Sequence, residues 1–241
     1  MTEPSPKDSS KLDAVFLYMG ILDAYEAVGT ELIGSNVLDE HVLPRMVYYV
    51  KEFLPEIFTG RTDNVGLTAE LKTFLVDLSS RVHGAQSGGS GELFTMEEIW
   101  KLRAAIFGYE SVFIDILGDA AIKDYVFIRM SDILASYLPS SLVDPSIPLH
   151  DKLQAYVEYI RNHGFVEYAR VRIGKNEIVV AANKCEFAKI HDSEAYTNLN
   201  VRFCPWGMIA SAIIAGHEGS ETVLKSSTFT TRGSVSEIEP K

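Results

Sequence analysis

Apolar residues recur every three or four positions over the first two thirds of the chain. Leu12, Val15, Phe16, Met19 and Leu22 form one stripe. Val42, Met46, Tyr49, Val50 and Phe53 form a second, and Leu67, Leu71, Phe74, Leu75 and Leu78 a third. This 3.6-residue period predicts amphipathic helices from Lys11 to about Val82. Pro44 fits the first turn of the second helix, and Pro55 ends it. Thr95-Met96-Glu97-Glu98 reads as a capping box opening a long helix that Gly118 closes. Lys123–Leu138, stopped by Pro139, and Pro148–His163, with Gly164 as its C-cap, continue the helical series.

After Gly164 the period drops to two. Val166, Tyr168, Arg170 and Arg172 alternate with Glu167, Ala169, Val171 and Ile173. With the turn Gly174-Lys175-Asn176 and a strand at Glu177–Ala182, they predict a hairpin. Asp192–Asn200 reads as a loop. Pro205–His217 reads as a helix of small residues (Gly207, Ala210, Ser211, Ala212, Ala215) suited to close packing. Glu221–Phe229 and Ser234–Glu239, around Thr231-Arg232-Gly233, make a closing strand pair. The fold class is α+β, with a helical N-terminal half and an antiparallel sheet near the C-terminus.

The chain also repeats itself. Leu43–Pro55 (LPRMVYYVKEFLP) lies without a gap over Phe127–Pro139 (FIRMSDILASYLP), pairing Arg45-Met46 with Arg129-Met130 and Leu54-Pro55 with Leu138-Pro139 at a separation of 84. Leu67–Leu78 lies over Leu149–Ile160 at a separation of 82. Upstream, Gly29 and Gly118 end comparable apolar helices. Two amphipathic helices resemble one another by chance, but gapless identities followed by a third helix nearly in register favour duplication. The organisation expected is a disordered tail (1–10), a helical repeat without a sheet (11–83), a Gly/Ser linker (84–94) and a sheet-bearing domain (95–241). A helical layer without its sheet must cover another surface, on its sister repeat or on a second subunit.

At 241 residues and 46% apolar, the chain is long enough to bury a sizeable core in one large or two small domains. Its net charge of −11 argues against direct nucleic-acid binding and against anionic membrane surfaces. The charge is uneven: residues 1–100 hold 7 basic and 16 acidic residues, and residues 101–241 hold 15 and 17. The acidity therefore belongs to the first repeat, as a solvating, partner-selecting surface. Met1–Ser10 is polar, with Pro4 and Pro6 and no apolar run, which predicts no secretory leader. No stretch of about 18 apolar residues predicts a membrane span. Two cysteines make no disulfide framework. A cytoplasmic protein is expected.

The candidate chemistry lies after the first hairpin. Cys185, His191 and Cys204 could hold zinc, with Glu186, Asp192 or His217 as a fourth donor, since a structural site takes four ligands and a catalytic one three plus an open position. The spacing matches no compact zinc motif. The alternative is two core cysteines acting as small apolar groups. Cys204-Pro205-Trp206 opens a helix, which lowers a thiol pKa, and His191 could serve as its base. No oxyanion donor completes such a site, so no catalytic residue is assigned. Phosphate-binding glycine loops are absent, and Glu97-Glu98, Glu26/Glu31 and Glu52/Glu56 read as solvated faces. The abundant helical aromatics are mostly core, and a subset could line an apolar ligand cavity.

Residues from about Leu102 to Glu239 resemble the 4-vinyl-reductase, or hydrocarbon-binding, domain family, related in fold to small subunits of the TRAPP tethering complex. The resemblance rests on AAIFGYESVFIDILG ending in Gly118, VVAANKCEFA, RFCPWGMIASAIIAG and TVLKSSTFTTRGSVSEIE. It implies an α/β sandwich with a twisted antiparallel sheet, a homodimer, and non-enzymatic binding or sensing of a small apolar molecule. Phe107, Phe113, Phe127 and Trp206 are the ligand-binding candidates. In some members cysteines of this region hold zinc, which points to Cys185 and Cys204; the usual third cysteine is replaced here by Thr228-Phe229-Thr230. No attached DNA-binding or ATPase domain is expected. A cysteine- or zinc-dependent enzyme, or a scaffold subunit of a TRAPP-like assembly, are the alternatives.

Overall fold

The computed structural model describes residues 6–53, 64–86, 94–134, 136–163, 166–175, 177–185, 188, 203–218 and 222–240. Three helices lead: α1 (Pro6–Leu32), α2 (Ser35–Phe53) and α3 (Asn64–Gln86). Helix α1 starts at Pro6, inside the segment expected to be a tail, since proline suits a first helical turn. Helix α3 likewise runs through Gly84 into the expected linker. Helix α4 (Met96–Ala121) opens with the capping box: Thr95 N–H donates to Glu98 Oε2 at 2.8 Å, and Glu98 N–H donates to Thr95 Oγ1 at 3.2 Å. It breaks at Gly118, whose φ of 80° is left-handed. A π-helical turn (Ile122–Val126) leads into α5 (Phe127–Leu134), and α6 (Ser140–Val143) and α7 (Leu149–His163) follow. The helix before Pro139 ends at Leu134, short of the proline whose ring disfavours helix in the residue ahead of it.

The C-terminal part is β1 (Val166–Ile173), β2 (Ile178–Cys185), α8 (Pro205–Glu218), β3 (Thr222–Thr230) and β4 (Gly233–Pro240). The fold is α+β, as the change of period implied. The sheet is antiparallel in the order β1-β2-β4-β3. The closing hairpin therefore adds through β4, with Ala182 opposite Ser234 and Ile178 opposite Ile238. Helix α8 packs on β2, β3 and β4 and also against α5 and α7. Its small residues matter at Gly207, where a Cβ would run into the Ser236 side chain. The other face of the sheet carries the exposed side chains of Tyr168, Arg170 and Val235.

The two repeats pack reciprocally: α2 lies on α4, and α1 lies on α5. The separation of 84 extends further upstream than the Arg-Met and Leu-Pro matches. Tyr25-Glu26-Ala27-Val28 corresponds to Tyr109-Glu110-Ser111-Val112, and Gly34 to Gly118. The pairing of Gly29 with Gly118 is thereby corrected, because α1 passes through Gly29 and ends ahead of Gly34, which has φ 92°. Gly29 instead corresponds to Phe113 and lies against that ring. Arg45 pairs with Asp115 at 2.6 Å, and its counterpart Arg129 pairs with Glu31, the counterpart of Asp115, at 2.5 Å. The first repeat thus covers its apolar surface on its sister.

Candidate functional site

The four aromatic candidates are buried in solid packing and are not gathered around one space. Phe107 lies against Tyr49 and Phe53, with the Arg103 guanidinium 3.8 Å over its ring. Phe113 meets Tyr25 edge-on, and Phe127 meets Phe203 edge-on. Trp206 packs on Tyr18, and its carbonyl accepts from the Tyr156 hydroxyl at 2.7 Å. None of the four lines the cavity described below.

Of the zinc candidates, Cys185 is half-buried and Cys204 buried; His191, Glu186 and Asp192 lie outside the described residues. The Cys204 thiol accepts a hydrogen bond from Ser234 Oγ at 2.9 Å, and its N–H donates to Ser227 Oγ at 3.1 Å. Both thiols act electrostatically on the buried Tyr18 hydroxyl, whose pKa is raised first by burial. Two thiols fall short of the three protein ligands of a catalytic zinc. No group of three His, Cys, Asp or Glu side chains occurs among the described residues. Those residues alone do not fit the metal.

A cavity of about 310 Å³ lies instead among α1, α2, α3 and α4, at the small end of the ~300–1,000 Å³ range of ligand sites. The helical period puts apolar side chains on its walls: Met19 and Leu22 from α1, Val42, Leu43 and Met46 from α2, and Leu75 and Val76 from α3. Polar side chains line it as well: Asp23 and Glu26 on α1, Asp39 on α2, and Ser79 and Ser80 on α3. Lys72 of α3 pairs with Asp39 at 3.0 Å. Tyr137 donates its hydroxyl hydrogen to Asp23, and His83 Nε2 lies 3.3 Å from the same hydroxyl. Burial raises the pKa of Asp23 against the lowering effects of Tyr137 and His83. Burial raises Glu26 too, and the charges of Asp23 and Asp39 add to it. Tyr109 of α4 reaches the cavity; burial, then Glu26, Asp39 and Asp23, raise its pKa.

Glu26 is exposed, as the solvated-face reading expects, yet it also borders the cavity; Asp23, Asp39 and Tyr109 carry no signal of their own in the sequence. A signal does exist in the sequence, at the separation of 84. Tyr-Glu-x-Val occurs in both repeats, but Met19 and Asp39 of the first stand where the second has Arg103 and Lys123.

The chain matches no protein-family model, no curated protein and no solved structure. Among the described residues no helix is long and apolar enough to cross a membrane.

Proposed function

We propose that this protein binds a small, largely apolar molecule without transforming it, as the resemblance to the hydrocarbon-binding domain implies. The ligand lies in the cavity among α1–α4 rather than between the sheet and the helices. The observation that supports this is the cavity itself, which combines apolar side chains from three helices with polar ones that include Asp23, Glu26, Asp39, Ser79 and Tyr109. Small-molecule sites in general join apolar walls to placed polar groups. Ser79 Oγ lies 3.4 Å from His83 Nδ1, but that nitrogen lies 2.7 Å from the Ser79 carbonyl, to which it must donate, so it is no base for the hydroxyl and binding accounts for the site better than catalysis does.

Thermal-shift measurements with short-chain alcohols and amines, beside native mass spectrometry of the purified protein, test the proposal. Stabilisation should saturate and follow RT ln(1 + [L]/Kd), about 2.7 kcal/mol at one hundred times Kd. Val76, exposed at the cavity edge, gives the control. Val76→Trp narrows the entrance and should abolish the shift while leaving the unliganded melting temperature near that of the wild type. The proposal is overturned if no compound shifts the wild-type transition and no small molecule co-purifies.

A further inference from the structure

The second repeat shows how the equivalent groove is filled when the chain fills it itself. At the separation of 84, Glu110 stands for Glu26, Phe127 for Leu43 and Met130 for Met46. Phe203, just ahead of α8, occupies this place in the second repeat. Its backbone N–H donates to Glu110 Oε1 at 2.7 Å, and its ring meets Phe127 edge-on with 4.9 Å between centroids. The occupant there is an apolar body carrying an N–H donor. In the first repeat α2 packs directly on α3, and Glu26, Leu43 and Met46 line the open cavity.

The charges differ in the same comparison. The second repeat places Arg103 and Lys123 where the first has Met19 and Asp39, and Phe107 where the first has Asp23. Among the described residues the cavity thus gathers three carboxylates, Asp23, Glu26 and Asp39, and one lysine, Lys72. Among the described residues Glu26 has no hydrogen-bond or ion-pair partner, although its repulsion by Asp23 and Asp39 registers on its own titration. Tyr109 is 7% exposed and lines the cavity, and its hydroxyl has no hydrogen-bond partner among the described residues. A tyrosine hydroxyl that lines a cavity can accept from an N–H donor. A positive charge likewise relieves the crowding of the carboxylates.

We infer that the ligand is a cationic amphiphile, an alkyl or aryl amine, whose ammonium donates to Glu26 and the Tyr109 hydroxyl while its apolar body lies against Leu22, Leu43 and Met46. This rests on the binding proposed above and names the class of molecule bound.

Isothermal titration of the full chain with octylamine, 1-octanol and octanoate tests it. Octylamine should bind about tenfold more tightly than 1-octanol, the worth of one hydrogen bond to a charged group. Octanoate should not bind. Glu26→Gln should bring the ratio of amine to alcohol affinity close to one, with a melting temperature no lower than that of the wild type showing that the fold is kept. Val76→Trp should weaken both ligands, which separates the cavity from diffuse attraction to an acidic surface. Equal affinities for octylamine and 1-octanol overturn the cationic assignment and leave the apolar-binding proposal standing. So does octylamine binding that survives both substitutions. Failure of all three probes overturns both.

Discussion

Tyr25 and Tyr109 stack on one another, with ring centroids 6.1 Å apart and planes inclined by 19°, although each occupies the same place in its own repeat, 84 residues from the other. Corresponding residues meet in this way when the segments carrying them are related by a local twofold relation. The reciprocal packing of α1 on α5 and α2 on α4 is the same relation at the level of helices. The rings are alike, but the two hydroxyls are not. That of Tyr25 is fully buried and has no hydrogen-bond partner among the described residues, whereas that of Tyr109 reaches the cavity. Tyr25→Phe keeps the ring and removes a buried polar atom that costs about 1–3 kcal/mol when unpaired. Urea unfolding should show equal or greater stability. A loss above about 1 kcal/mol would mean that the hydroxyl is bonded.

Glu110 and Glu26 share a place in the repeat but should differ sharply on substitution. Glu110 is fully buried and accepts from the Phe203 N–H, so Glu110→Ala strands a buried donor and opens a void. A destabilisation of about 2–3 kcal/mol is expected. Glu110→Gln keeps an acceptor oxygen and should cost clearly less. Glu26→Ala, on the solvent-accessible side, should stay within about 0.5 kcal/mol of the wild type. Guanidinium unfolding curves decide this, and equal effects at the two positions would refute the contrast.

The helices and strands were legible because their periods are: Val42, Met46, Tyr49 and Val50 are all buried as their spacing requires. The capping box at Thr95 and Glu98 was legible because it is local. The sheet order was not, since nothing in the strands themselves says that β4 rather than β3 lies beside β2. The cavity was hidden for a related reason. Glu26 is exposed and looks like any solvated glutamate until α2 and α3 bring the other lining residues to the same space, and Phe107 looks like a ligand contact until Tyr49 and Phe53 fill the space around it. Repetition is the signal that crosses this gap, since matching Gly34 rather than Gly29 with Gly118 brings the two Tyr-Glu-x-Val segments into register.

The reciprocal ion pairs Arg45–Asp115 and Arg129–Glu31 look like clamps between the repeats, yet all four side chains are about half exposed. Surface pairs of this kind are worth ~0.2–1 kcal/mol. Double-mutant cycles on Arg45/Asp115 and on Arg129/Glu31 should give couplings in that range, equal within error and smaller at high salt. A coupling above about 2 kcal/mol at either pair would make it a principal fastener of the repeats.

The carboxylates of the cavity fix the sign of a pH effect. Burial raises Glu26 and Asp23 above their ordinary values. Groups raised in the folded state contribute stability that is full below the unfolded carboxylate pKa, near 4, and is lost as pH rises through the raised folded values. Glu98 runs the other way. Its burial is outweighed by hydrogen bonds from Thr95 and Arg81, so its pKa is lowered. Its contribution is present above the unfolded value and lost as pH falls through the folded one. The comparison must therefore be made between variants. Relative to the wild type, Glu26→Gln should gain stability as pH rises from about 4 to neutrality. An ammonium binds best to ionised carboxylates, so octylamine affinity should rise over the same interval while 1-octanol affinity stays flat. Octylamine affinity constant across that interval, or 1-octanol affinity following the same curve, would remove Glu26 and Asp23 from the binding of the charged group.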